Sequence, residues 1–156
     1  MSANVIKTKI QDGVQQVAFI DYEYAVPCPA AFDISNHFAE WVGYECDYNR
    51  VPNKPIRREF LKEYLAAYNA HSDKALPEAS ALEFLEAEVD RYRGMPGLYW
   101  GIWALIQAQI SLIDFDYASY AELRLGEYSA WRNELNGQRA RDGQEIPLRE
   151  RRWAET

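Results

Sequence analysis

The chain has 156 residues, enough for one domain with a buried core. Hydrophobic residues make up 48% of it and exclude a disordered chain. The formal net charge of −7 argues against nucleic acid as a partner, because such a surface repels phosphate backbones, while an acidic cleft favours metal ions and ammonium groups.

Val5 to Ile10 and Val14 to Ile20 are β-type runs around Gln11-Asp12-Gly13, and Asp-Gly between two such runs predicts a hairpin. Val26-Pro27-Cys28-Pro29 is too stiff to be helical throughout and predicts a loop. Phe32, Ser35/Asn36, Phe38 and Trp41 then fall at helical spacing, which predicts a short helix over 30–42 with Glu40 in its last turns. After Pro52 and Pro55, the stripe Ile56, Phe60, Tyr64, Leu65, Tyr68 marks an amphipathic helix with Arg57, Arg58, Lys62 and Glu63 on its wet side. Pro77 is placed as the first-turn proline of a third helix, whose apolar stripe is Leu82, Leu85, Val89 and Tyr92. Gly94-Met95-Pro96-Gly97 is read as a breaker. The run 98–113 is apolar almost all round and predicts a helix buried on most sides. A last helix follows over 116–135, and residues 136–156 are expected to form a loose, charged tail. Arginine pairs in that tail are read as solvated rather than as a phosphate site.

Two cysteines, Cys28 and Cys46, make neither a disulfide framework nor a metal-spaced cluster, so both are expected as reduced thiols in a cytoplasmic protein. The first residues lack a signal-peptide core, and no apolar run approaches the ~20 residues of a membrane span.

The chemistry concentrates in two places. Asp21, Glu23, Asp33 and Glu40 lie within twenty positions, and Asp21 follows the apolar run 17–20. Acids at the end of a strand are costly unless they bind something, which points to a metal and polar-substrate site. Trp100 and Trp103 are three apart on one helix and share a face, with Phe115 and Tyr120 just beyond. Aromatic faces hold ammonium groups by cation–π attraction, although a tryptophan pair at this spacing is also common in cores. His37 is expected as a packed histidine, His71 as inert, and Tyr44 and Tyr48 are candidates for the rim of the site.

The order Ile20-Asp21-Tyr22-Glu23-Tyr24, then Phe32-Asp33, then Glu40 resembles the signature of choline and ethanolamine kinases, with Cys28 where that family usually has Asn. The segment Tyr99-Trp100-Gly101-Ile102-Trp103-Ala104-Leu105-Ile106-Gln107-Ala108 is similar to the tryptophan helix of the same family, and 113–117 with Tyr120 to the stretch after it. The resemblance implies an α+β, predominantly helical fold: a protein-kinase-like C-terminal lobe over 1–135, with an N-terminal hairpin carrying the metal site. It implies Asp21 and Asn4 as Mg²⁺ ligands, with Glu23 joining them, and Asp33 as a supporting residue. Glu40, Trp100, Trp103, Phe115 and Tyr120 would bind the substrate amine. The reaction implied is ATP-dependent phosphorylation of ethanolamine or choline, the first step of a route to phospholipids. The catalytic-base Asp of such kinases would fall two positions before Met1, and the Gly-rich loop and strand Lys of a nucleotide lobe have no match here. Two readings therefore stand beside a chance motif on a helical interaction domain. One is the lobe of an active kinase; the other is a non-catalytic module that binds amines or associates with a kinase. Without an upstream lobe, the surface near Asn4 and Tyr22 is expected to be apolar and exposed, favouring self-association or a homodimer.

Overall fold

The structure, a computed structural model, describes residues 4–73 and 78–156. Strands β1 (Val5–Gln11) and β2 (Val14–Phe19) pair antiparallel, with Gln11 opposite Val14, so that Asp12 and Gly13 alone make the turn. Both turn residues have positive φ, 51° and 77°, the geometry that matches strand twist and that Asp-Gly adopts at low cost. Between Lys7 and Ile10 the register slips, since β1 holds one residue more than β2, a bulge that bends the ribbon. Val5, Ile6, Ile10, Val14, Val17, Phe19 and Tyr22 are all exposed, as expected for the surface around the hairpin.

Among the described residues seven α-helices follow: α1 (Ala30–Ala39), α2 (Lys54–His71), α3 (Glu78–Tyr92), α4 (Met95–Ile110), α5 (Tyr117–Leu135), α6 (Gln138–Arg141) and α7 (Leu148–Ala154). The starts of α2 and α5 are set by side-chain caps. Asn53 accepts the Ile56 N–H at 3.2 Å and Asp116 accepts the Ser119 N–H at 3.0 Å, each satisfying a donor the helix leaves open. Helix α1 buries Ala31, Ile34, Ser35 and Phe38, then tightens into a 3-10 turn over Glu40–Val42, which Gly43 ends at φ 69°. The core gathers Phe38, Val42, Leu61, Leu65, Leu82, Val89, Ala104, Tyr120, Ala121 and Trp153. Pro77, expected in the first turn of α3, lies outside the described residues.

Four expectations are corrected. The Gly94–Gly97 stretch does not break the chain; it starts α4, and its glycines admit α5. A Cβ on Gly97 would stand 2.6 Å from the Arg124 carbonyl oxygen, and one on Gly101 2.7 Å from the Leu125 side chain. Helix α4 is not buried on most sides: Ile102, Leu105, Ile106 and Ile110 are exposed, as are Leu112 and Ile113 beyond its end. Apolar composition states a demand for cover, and the described residues do not cover this face. Arg57, read as solvated, is buried, with Nη1 donating to the Pro52 carbonyl at 2.6 Å and Nη2 to the Trp153 carbonyl at 2.9 Å.

The last correction concerns 136–156, which is charged but not loose. Trp153 is 5% exposed, sits edge-on to Phe38 at 6.3 Å, and donates its indole N–H to Asp90 at 2.7 Å. The Arg57 guanidinium carbon lies 3.8 Å from the centre of its ring. The charges around it find partners: Arg149 with Glu150 at 2.8 Å, Glu150 with Arg93 at 3.0 Å, and Arg139 with Glu134. One aromatic anchor flanked by complementary charges is enough to seat a short helix, and composition alone does not reveal it.

Candidate functional site

Helix α4 turns Trp100 and Trp103 to one face, where their rings meet edge to face at 5.5 Å. The chain then reverses through 111–116, and α5 brings Tyr117 and Tyr120 back beside them. Trp103 meets Tyr117 at 5.7 Å, Tyr117 meets Phe115 at 4.9 Å, and Phe115 meets Tyr120 at 5.7 Å. The four aromatic residues singled out from the sequence thus share one continuous cluster. Three rings enlarge it. Tyr24, in the loop after β2, covers both tryptophans at 5.9 and 6.5 Å and accepts the Trp103 indole N–H at 2.9 Å. Tyr44 touches Phe115 and Tyr120 at 5.8 and 6.1 Å, and Tyr117 is the link already described. Tyr24 and Tyr117 lie inside the two matched motifs, so the sequence held the signal without a reason to single them out. Trp100 donates its indole N–H to the Asn36 carboxamide at 2.7 Å, which fixes α4 against α1.

Glu40 stands where α1 gives way to the 3-10 turn, half-buried, with Oε1 inaccessible and without a hydrogen-bond partner. Burial raises its pKa above the ordinary carboxyl value, and the positive charge of Arg124 pulls it back down. The same surroundings raise Tyr120 to about 12, mainly by burial, so that hydroxyl stays protonated. A buried carboxylate oxygen lacking a donor, close to a set of aromatic rings, is an arrangement that accepts a cationic N–H donor.

Asn4, Asp21 and Glu23 belong to the hairpin and the loop that leaves it. The Ile20 N–H donates to the Asn4 carbonyl at 3.0 Å, which brings position 4 alongside the start of that loop. Asp21 has φ 60°, the left-handed region that Asp tolerates better than most residues, so the chain turns sharply at this carboxylate. Asp21 and Glu23 are exposed. Among the described residues, no three of His, Cys, Asp and Glu converge as a closed metal centre. Mg²⁺ does not require one: it binds one or two protein carboxylates and fills its remaining positions with water and phosphate oxygens, so an amide and two open carboxylates fit its donor chemistry.

Asp33, the supporting residue of the resemblance, is exposed in the first turn of α1. His37 packs on Phe60 at 5.1 Å and accepts the Trp41 indole N–H at 3.3 Å, and burial lowers its pKa. His71 places Nδ1 2.9 Å from the Ala67 carbonyl oxygen of its own helix. Cys28 is exposed and Cys46 buried, both as free thiols. Two concavities of about 540 and 520 Å³ lie beside α7 and along α5, and neither is lined by Trp100, Trp103, Phe115 or Tyr120. The aromatic cluster, closed edge to face on itself, is favoured here as the site on its chemistry. No helix among the described residues is long and apolar enough to cross a membrane.

The family model for choline/ethanolamine kinase matches residues 1–129. An ethanolamine kinase from Drosophila melanogaster is 42% identical over 128 residues, covering 81% of this chain and 24% of that protein. A probable ethanolamine kinase from Nematostella vectensis is 41% identical, covering 80% and 36%. The solved structure of a Plasmodium vivax ethanolamine kinase superposes with a TM-score of 0.68 at 32% identity, covering 82% of this chain and 31% of that one. The chain therefore spans about a third or less of the length of these relatives, and its α+β, mostly helical architecture is that of a kinase-like fold.

Proposed function

Because the chain belongs to the choline/ethanolamine kinase family, we propose that it carries the amino-alcohol side of an ATP-dependent phosphotransferase, with ethanolamine as the substrate. The observation that carries this reading is Glu40 Oε1, buried without a donor, whose charge acts on Tyr120, one end of the row of rings that runs through Phe115 and Tyr117 to Trp103 and Trp100. A primary ammonium offers N–H donors to that oxygen, and the rings screen the pair from water, where attraction between charges is stronger. A trimethylammonium group keeps the charge attraction and the rings but has no N–H to donate to that oxygen, which favours ethanolamine over choline.

In this reading Asn4 and Asp21, with Glu23, hold Mg²⁺, which when bound supplies charge neutralisation at the phosphates of ATP. Glu40 orients the amine end of the substrate, so its hydroxyl points away from the cluster. The rings set the depth to which the amine enters, and Tyr24 must move off the tryptophan pair to admit it. The cytoplasm, where such amines are soluble substrates, is the proposed location. The alternative, a module that binds amines without transferring phosphate, uses the same cluster.

Calorimetric titration with ethanolamine and with choline tests the cluster as an amine site, using Trp103→Ala as the control. Saturable ethanolamine binding that the substitution weakens is expected. A folded wild-type chain that binds neither amine would overturn the reading.

A further inference from the structure

On the amine-binding reading above, the site draws on two helices: α1 ends at the carboxylate of Glu40, and α4 carries the indoles of Trp100 and Trp103. Asn36 joins the two. Its side-chain oxygen accepts the Trp100 indole N–H at 2.7 Å, and its backbone carbonyl accepts the N–H of Glu40, one helical turn on. Residues four apart share a face of a helix, so the amide that grips Trp100 and the Glu40 carboxylate lie on one side of α1. An indole nitrogen only donates, which orients the carboxamide with its oxygen toward the ring.

The residues on either side of Asn36 hold α1 to the other helices. The Ser35 hydroxyl, fully buried, lies 2.9 Å from the Phe32 carbonyl oxygen and 3.4 Å from that of Tyr92 in α3. His37 stacks on Phe60 of α2 at 5.1 Å. The Trp100 ring, by contrast, is met by other rings: Tyr99 at 5.1 Å, Trp103 at 5.5 Å and Tyr24 at 5.9 Å, all edge to face. Ring contacts hold over a range of separations and angles, whereas a hydrogen bond weakens steeply as it bends. The bond to Asn36 is therefore what ties the angle of this indole to α1.

Resting on that amine reading, we infer that Asn36 is a positioning residue for the substrate: it holds the Trp100 indole at the angle at which its face meets an ammonium group at Glu40. Cation–π attraction acts at the face of a ring and not at its edge, so a tryptophan that turned would lose the attraction while keeping its burial. Trp100 is 8% exposed, and without this acceptor its N–H is left unpaired inside the protein, which draws the ring toward any orientation that pairs it. Asn36 acts through the ring, so its effect falls equally on ethanolamine and choline, which both present their charge to the rings. Glu40 differs in this respect, since only ethanolamine has N–H groups to donate to it.

The test pairs calorimetry of the full chain with ethanolamine and with choline to ¹H–¹⁵N spectra of its indole N–H groups, in which Trp100→Phe identifies the Trp100 signal. Asn36→Leu removes the acceptor at similar size. The Trp100 indole proton is expected to shift upfield and to exchange faster with solvent, and both affinities should fall by the same factor, about tenfold. Trp100→Phe has no N–H to hold, so adding Asn36→Leu to it should cost no further affinity. That double variant removes both partners and leaves no donor unpaired, so it serves even where Asn36→Leu alone does not fold. A further loss of about threefold or more on the Trp100→Phe background, or unchanged amine binding in folded Asn36→Leu, overturns this inference alone. A wild-type chain that binds neither amine overturns the amine reading and this inference with it.

Discussion

Trp153→Ala removes the residue on which the C-terminal segment is seated. A buried tryptophan takes roughly 150–250 Å² out of water, and at about 25 cal/mol per Å² that is on the order of 4–6 kcal/mol as an upper bound. The alanine recovers part of it, and large-to-small substitutions of buried aromatics cost about 3–5 kcal/mol. The lost indole donor adds little, because its acceptor, Asp90, is exposed and returns to water. Arg57 weighs more heavily, since its guanidinium lies on the Trp153 ring and burial has already lowered its pKa to about 10. Without the ring this cation gains solvent, so the net cost should fall near 3 kcal/mol rather than 5. Trp153→Phe, which keeps most of the apolar contact with Phe38, should cost about half as much. Urea denaturation followed by circular dichroism measures both, and the corresponding drop in Tm is roughly 2–4 °C per kcal/mol for a chain of this size. A Trp153→Ala variant within about 0.5 kcal/mol of wild type, the range of an ordinary surface substitution, would refute the reasoning and return 136–156 to the status of a loose tail.

Glu40→Gln should weaken ethanolamine binding roughly 10- to 150-fold, the worth of about 1.5–3 kcal/mol for a hydrogen bond to a charged group. Because burial raises the Glu40 pKa, its favourable contribution to folding is present below the ordinary carboxyl range and is lost as pH rises through the raised value. The variant should therefore be at least as stable as wild type at pH 7 and show no such advantage near pH 4, read by thermal melts at both. Gly97→Ala would place a methyl 2.6 Å from the Arg124 carbonyl, forcing α4 off α5 at a cost of about 1–3 kcal/mol and loosening the aromatic cluster, visible as a changed tryptophan emission maximum. Mn²⁺ added as a paramagnetic stand-in for Mg²⁺ should broaden backbone resonances around Asp21 and Glu23, and Asp21→Ala should remove the effect.

The sequence was most informative where local chemistry decides the outcome. Asp12-Gly13 permits few turns, and the i, i+3 spacing of Trp100 and Trp103 puts both rings on one face whatever surrounds them. The grouping of Trp100, Trp103, Phe115 and Tyr120 followed from that spacing together with a resemblance carried by whole motifs. What stayed hidden depends on contacts far apart in sequence. Arg57 reads as a surface cation until Trp153, 96 positions on, lies against it. Gly97 reads as part of a breaker until α5 arrives against it. The exposed face of α4 misled in the opposite sense, because its periodicity cannot say whether the covering surface belongs to the same stretch of chain. Arg124 showed nothing in the sequence beyond one more charge on a helix; its burial beside Glu127 and the Tyr120 ring comes only with the fold.

The most direct test of an amine held by the aromatic cluster and Glu40 is the observation of intermolecular NOEs from the methylene protons of ethanolamine in the isotopically labelled full chain. Contacts to the indole protons of Trp100 and Trp103 and to the ring of Tyr120, all lost in Glu40→Gln, are the expected result. Binding with NOEs confined to residues outside the cluster, or no binding by the folded chain, would contradict it.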